Sequence, residues 1–180
     1  MARTALLNAF LQSNLDCQSF GVLNLAAPVN PGDATSKSYV DGKSGKALLY
    51  SGPANPIGTA STVGVMQGLA GGVTPAATGR LLIIVSGYLG NDTAGRGAVV
   101  QIRYGTGGAP ANGAAVAGTA LGSAQQMSYG SYGTMQVPFS VTGIATGLLL
   151  GTAVWIDISL ASITGGNSTA VQVSVSAVEV

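Results

Sequence analysis

The sequence predicts a mainly β protein. A C-terminal antiparallel β-sandwich or jelly roll over residues 47–180 follows a short N-terminal helix and a proline-containing connector in residues 1–46. Three observations lead there. Apolar and polar residues alternate with period two over several short runs, glycine-rich segments separate those runs, and no helix-length apolar pattern occurs after the connector. Short alternating strands joined by such turns belong to all-β architectures rather than to helical or α/β ones.

In chain order, Thr4 to Leu15 comes first. Leu7, Phe10 and Leu11 fall near one side with Leu15 a turn later, which is helical spacing, and Asn8, Gln12 and Asn14 fill much of the remainder. A helix of about a dozen residues is marginal alone, so it needs a partner surface: sister chains, a groove on a larger particle, or its own C-terminal domain. Pro28 and Pro31 then lock two backbone dihedrals and bias Ala27 and Asn30 toward extended conformations. Asp33 is placed to cap a short helix running to about Val40, with Gly42 near its end and Lys37 four residues on along the same face. From Gly42 to Gly58, turn formers are expected to break any regular element.

Beyond it, strands are predicted. Met135, Val137, Phe139 and Val141 alternate with polar residues and with Pro138, which suits an edge strand. Val154, Ile156, Ile158 and Leu160 alternate with Trp155, Asp157, Ser159 and Ala161 as a half-buried strand, and Val171, Val173 and Val175 repeat the pattern. Leu81 to Leu89 and Ala98 to Tyr104 are further strands, with Gly90 to Gly97 and Gly105 to Gly113 as connections.

The stretch Asn24 to Asp41, NLAAPVNPGDATSKSYVD, resembles a recurrent phrase of bacteriophage tail-fibre and related virion-fibre proteins. Asn24, Leu25, Ala26, Pro28, Pro31, Asp33, Ala34, Lys37, Tyr39, Val40 and Asp41 carry the match, which covers about a tenth of the chain. In that family the phrase follows a short helix and precedes the distal domain, and the fibres are commonly trimeric. The resemblance therefore implies a virion component made in the bacterial host cytoplasm. Leu7, Phe10, Leu11, Leu15, Pro28, Pro31, Asp33 and Tyr39 would serve attachment and oligomerisation. Its partners would be its own copies and other virion proteins of tail, baseplate or capsid, with a host-surface glycan or protein as a further contact. A capsid-decoration protein is the alternative, and a polysaccharide-degrading tailspike the remaining one.

Charge agrees with two parts. Residues 1–46 hold four basic and three acidic residues, and the other 134 hold three of each. Only 7% of the chain is charged, against roughly 25% in average soluble proteins. A surface so poor in charge is expected to be covered by neighbours. With a net charge of +1 and scattered basic residues, nucleic-acid binding is not expected. Apolar runs such as Leu81 to Val85 are too short to insert in a membrane, and the N-terminus lacks the pattern of a secretory signal. The lone Cys17 is expected to pack beside the N-terminal helix rather than bridge. Gly-Lys-Ser at 42–44 lacks the earlier glycine of a phosphate loop, whose place is taken by Lys37, so no nucleotide is expected.

Chemistry is sparse. Histidine is absent, removing the commonest base and metal ligand, and no cofactor or metal is expected. In the body only Asp92, Asp157 and Glu179 could form the carboxylate pair of a glycosidase, so no enzyme is expected. Arg80, Arg96 and Arg103 could pair with these acids across the sheet or between chains, but a solvated side chain is the favoured reading of each. The sequons at Asn91 and Asn167 read as loop tips. Trp155 is expected to be buried between subunits, and Tyr129 and Tyr132, flanked by Ser and Gly in MSYGSYGTM, form the candidate receptor contact.

Overall fold

The computed structural model describes Val29, the backbone of 47–50, and residues 54–69, 71–128 and 135–180. By internal contacts the chain divides into Met1–Asp41 and Gly42–Val180. The expected N-terminal helix, with Leu7, Phe10, Leu11 and Leu15, and the connector residues Pro28, Pro31, Asp33 and Tyr39 lie outside the described residues.

The described residues of the second unit form nine strands: β1 Ala47–Tyr50, β2 Val65–Met66, β3 Gly71–Val73, β4 Leu81–Asn91, β5 Gly97–Thr106, β6 Thr119–Ser128, β7 Gln136–Ala145, β8 Val154–Ile163 and β9 Ser168–Glu179. Every pairing is antiparallel. Sheet A runs β1-β9-β4-β7, and sheet B runs β2-β8-β5-β6 with β3 also on β8. Since β2 and β3 together form one interrupted strand beside β8, the order is that of a jelly roll. The core lies between the sheets. Leu81, Ile83 and Val85 of β4 and Val173 and Val175 of β9 meet Val100 and Ile102 of β5 and Ile156, Ile158 and Leu160 of β8. Period-two alternation turns these apolar rows to one side of each strand.

Three expectations change. The turn-rich stretch after Gly42 does contain a strand, β1, because backbone pairing with Val175 to Val178 of β9 overrides weak local propensity. β8 is buried on both faces from Val154 to Leu160, rather than half-buried. β6 was not read from the sequence: its residues are largely exposed, it carries a two-residue irregularity opposite Val100 to Ile102, and its alternation is correspondingly poor. Pro138, by contrast, does lie on an edge strand, β7.

The two outer faces differ. On sheet B, Trp155, Asp157 and Ser159 point away from the core and are still buried. Residues 107–118, between β5 and β6, pass Trp155 and reach β2, where Met66 N donates to Ala114 O at 2.9 Å and Gly113 N to Met66 O at 2.9 Å. Trp155 Nε1 donates to Thr106 O at 3.2 Å. A Cβ at Gly105 or Gly118 would run into the indole, and Gly118 has φ of 71°, so both positions need glycine. Trp155 is thus buried within its own chain, not between subunits.

Among the described residues, none covers the outer face of sheet A in this way. Across β7, β4 and β9 the outward rungs are Ile144, Leu82 and Val178; Thr142, Ile84 and Ser176; Ser140, Ser86 and Ser174; and Pro138, Tyr88 and Val171. All of these residues are half-buried or exposed, and none is charged.

Candidate functional site

One end of the sandwich is organised by Asn91, the last residue of β4. Its Nδ2 faces Ser168 Oγ at 3.0 Å, Gly97 O at 3.1 Å, and Ser162 Oγ and Gly165 O at 3.3 Å each. Its Oδ1 accepts from Thr93 N at 2.9 Å. A buried carboxamide can stay there because both its ends find partners. It ties the 92–96 turn to the turn between β8 and β9, and Arg96 adds a bond to Thr164 O. Asn91 is therefore not a loop tip, since only 3% of it is exposed.

Asp92 latches the same two turns. Its backbone N donates to Asn167 O at 3.1 Å, while Oδ1 accepts from Asn167 N at 2.7 Å and Thr93 Oγ1 at 2.9 Å. The Asn167 amide, followed by the Thr93 hydroxyl, holds its carboxyl below the ordinary range. These turns shape a cleft of about 230 Å³ lined by Gly90, Asn91, Asp92, Met135, Gln136, Asn167 and Thr169. Opposed carboxamide, hydroxyl and carboxylate groups beside a half-exposed methionine suit hydrogen-bonded recognition of a polar ligand.

Tyr129 and Tyr132 lie outside the described residues. The other two body acids are engaged elsewhere. Asp157 accepts from Ile158 N at 2.7 Å, Gly68 N at 2.9 Å and Leu69 N at 3.2 Å, which pins residues 67–69 where they bulge between β2 and β3. Burial pushes its carboxyl up, and the amides only partly offset this. Glu179 accepts from Thr78 N at 2.6 Å, Ala77 N at 2.7 Å, Ala76 N at 2.8 Å and Gly79 N at 3.2 Å. Burial pushes that carboxyl up as well, but the four amides outweigh it and hold it at about 2. Neither role was read from the sequence. The only local signal was the lone glutamate ending an alternating strand, whose partners lie some hundred positions away.

Pairing with an acid, the less favoured of the two readings of the arginines, is not found for Arg103. Arg103 stands opposite Asp157 in the β5–β8 register, yet it donates to Ser159 Oγ at 3.4 Å and Gln101 Oε1 at 3.3 Å. Asp92 sits at the start of β9 and Glu179 at its end, about 35 Å apart along an extended strand. Asp157 lies on the outer side of sheet B. Asp92 and Glu179 are thus much farther apart than the roughly 5–9.5 Å that separates a glycosidase carboxylate pair.

The described fold is an antiparallel β-sandwich with a polar cleft at one end. No family model matches the chain, and no curated protein matches it. Among solved structures it is similar to a chain in the structure of infectious bursal disease virus Gt strain, with a TM-score of 0.42 and 10% identity. The match covers 86% of this chain and 37% of that one, so the chain spans little more than a third of the neighbour's length. A likeness of that size leaves the functional reading to this chain's own residues.

Proposed function

We propose that the chain is a structural component of a bacteriophage virion, a small homotrimeric fibre or fibre-like appendage. Its N-terminal segment, residues 1–46, holds it to the particle and aligns the copies, and its body projects and contacts the host surface. The observation that carries this reading is the spaced match of Asn24 to Asp41 to the virion-fibre phrase. The body is compatible with it. Its acids are occupied in holding backbone, which favours binding and assembly over hydrolysis, and its one described cleft offers hydrogen-bonding groups at one end of the sandwich. Several copies would add avidity to weak individual contacts.

Deleting residues 1–41 tests the reading. The remaining body is expected to fold, because Gly42–Val180 has its own core, and to be lost from particles. A body that still enters particles would place attachment at the other end. The uncharged outer face of sheet A also suits a capsid-decoration protein lying on a shell. A monomeric chain in solution that binds only assembled shells would favour that second reading.

A further inference from the structure

We infer that the cleft at the Asn91 end of the sandwich, together with the Tyr88 ring beside it, binds an uncharged saccharide through a single sugar ring. The inference rests on the virion-fibre reading only for where such a saccharide would be met, on a host surface; the site itself is argued from the body.

Three strands build the cleft. In the β7-β4-β9 pairing Gly90 stands between Gln136 and Thr169, and the next outward rung along the same face is Pro138, Tyr88 and Val171. A Cβ at Gly90 would lie 3.0 Å from Thr169 Oγ1 and 3.7 Å from Gln136 Cγ, so the missing side chain is what opens the floor between those two. The space, about 230 Å³, is smaller than the roughly 300–1,000 Å³ of sites for drug-sized ligands, which suits one sugar ring rather than a length of chain.

The chemistry of the walls selects the ligand. Among the described residues, the side chains of Gln136, Asn167 and Thr169 form no hydrogen bond within the chain, and Asp92 uses only Oδ1 in the turn latch, leaving Oδ2 open. Each carboxamide and hydroxyl both donates and accepts, which is what a ligand made of hydroxyl groups requires. Charge argues the same way. The lining holds one carboxylate and no Lys or Arg, so an anion would be repelled, and a cation would leave most of the donors without partners.

Tyr88 supplies the apolar half. It is 39% exposed, stands about 7 Å along the strand from Gly90, and is flanked on its rung by Pro138 and Val171. Met135 adds a half-exposed thioether to the lining. An aromatic face beside convergent hydrogen-bonding groups matches a sugar ring, which carries C–H groups on a face and hydroxyls around its edge.

The test is titration of the full chain by saturation-transfer NMR and calorimetry. Glucose, galactose, N-acetylglucosamine and lactose are the uncharged probes, and glucuronic acid and glucosamine the charged ones. At least one uncharged probe is expected to bind with a millimolar Kd, as suits so few contacts, and the charged pair to bind at least about tenfold more weakly. Gln136→Ala and Tyr88→Ala, both at exposed positions, should each weaken binding about tenfold with an unchanged circular dichroism spectrum, and Gly90→Ala, which fills the floor, at least as much. Leu149→Ala, on an exposed loop, is the control and should bind as the wild type does. If Gly90→Ala does not fold, the two exposed positions still decide. No binding by any uncharged probe at about 50 mM overturns the inference. So does binding of a charged probe alone, or binding that Gln136→Ala and Tyr88→Ala leave at the wild-type Kd. Particle incorporation is scored separately. Saccharide binding by a chain that never enters particles keeps this inference and removes the virion reading, and incorporation without saccharide binding does the opposite.

Discussion

The outer faces of the two sheets present the same backbone geometry to opposite surroundings. On sheet B, Trp155, Asp157 and Ser159 are all buried: residues 67–69 and 107–118 pass over this face, Thr106 O at the end of β5 accepts from the indole N–H, and the Gly68 and Leu69 amides donate to the carboxylate. On sheet A, Leu82, Ile84 and Ile144 stand uncovered beside serines. The difference teaches that buried polar chemistry here marks places where the chain closes on itself, whereas no described residue closes over the uncharged face of sheet A. Asp157 would have been the first residue suspected of catalysis on burial alone, yet its three amide partners explain it structurally.

The largest test of this contrast is Trp155→Ala. It removes the indole that residues 105–118 pack against, and a loss of about 4 kcal/mol is expected in urea unfolding. A loss below about 1 kcal/mol would show that the cover does not hold sheet B. Glu179→Gln comes next, at about 2–3 kcal/mol, because four amides lose a charged acceptor. Its pH signature has a definite sign. A carboxyl held at about 2 in the fold, against 4.5 ordinarily, stabilises the protein above the ordinary value. That stability is lost as pH falls from about 4.5 toward about 2, and melts of the Gln variant should lack this dependence.

Asp157→Asn should cost less, about 1–2 kcal/mol, by replacing one amide acceptor with a donor. Here the pH sign is opposite. Burial raises the Asp157 carboxyl, so protonation favours the fold. The contribution is complete below 3.8 and is lost as pH rises through the raised value. Comparing wild-type and Asn-variant melts between neutral and mildly acid pH reads it; a wild type that loses more stability than the variant on acidification there would contradict the assignment. Smallest is Ser86→Ala on the outer face of sheet A, within about 0.5 kcal/mol for the isolated body, since no described residue of the body covers that face. A larger loss in the isolated body would mean that the face is already engaged within one chain.

How much was legible follows from what each feature depends on. β4, β5, β7, β8 and β9 were readable because period-two alternation is a local property of the strand. The edge position of Pro138 was readable too, since a missing N–H excludes a central strand. β1 and β6 were not, because pairing creates them: β1 is four residues beside β9, and β6 is exposed and irregular along much of its length. The cleft was invisible for a similar reason. Asp92, Gln136 and Thr169 come from three separated segments that only the β7-β4-β9 pairing brings to one end.

The amino-acid sequence by itself determined a β-sandwich body almost free of charge, with Pro138 at a sheet edge and only Asp92, Asp157 and Glu179 as its acids. Alternation, proline geometry and composition act locally or over the whole chain, so they can be read without coordinates. Only the tertiary structure decided which face of the sandwich is covered, and that Asn91, Asp157 and Glu179 hold turns and loops in place. Those outcomes depend on contacts between residues as much as a hundred positions apart, which no local pattern encodes.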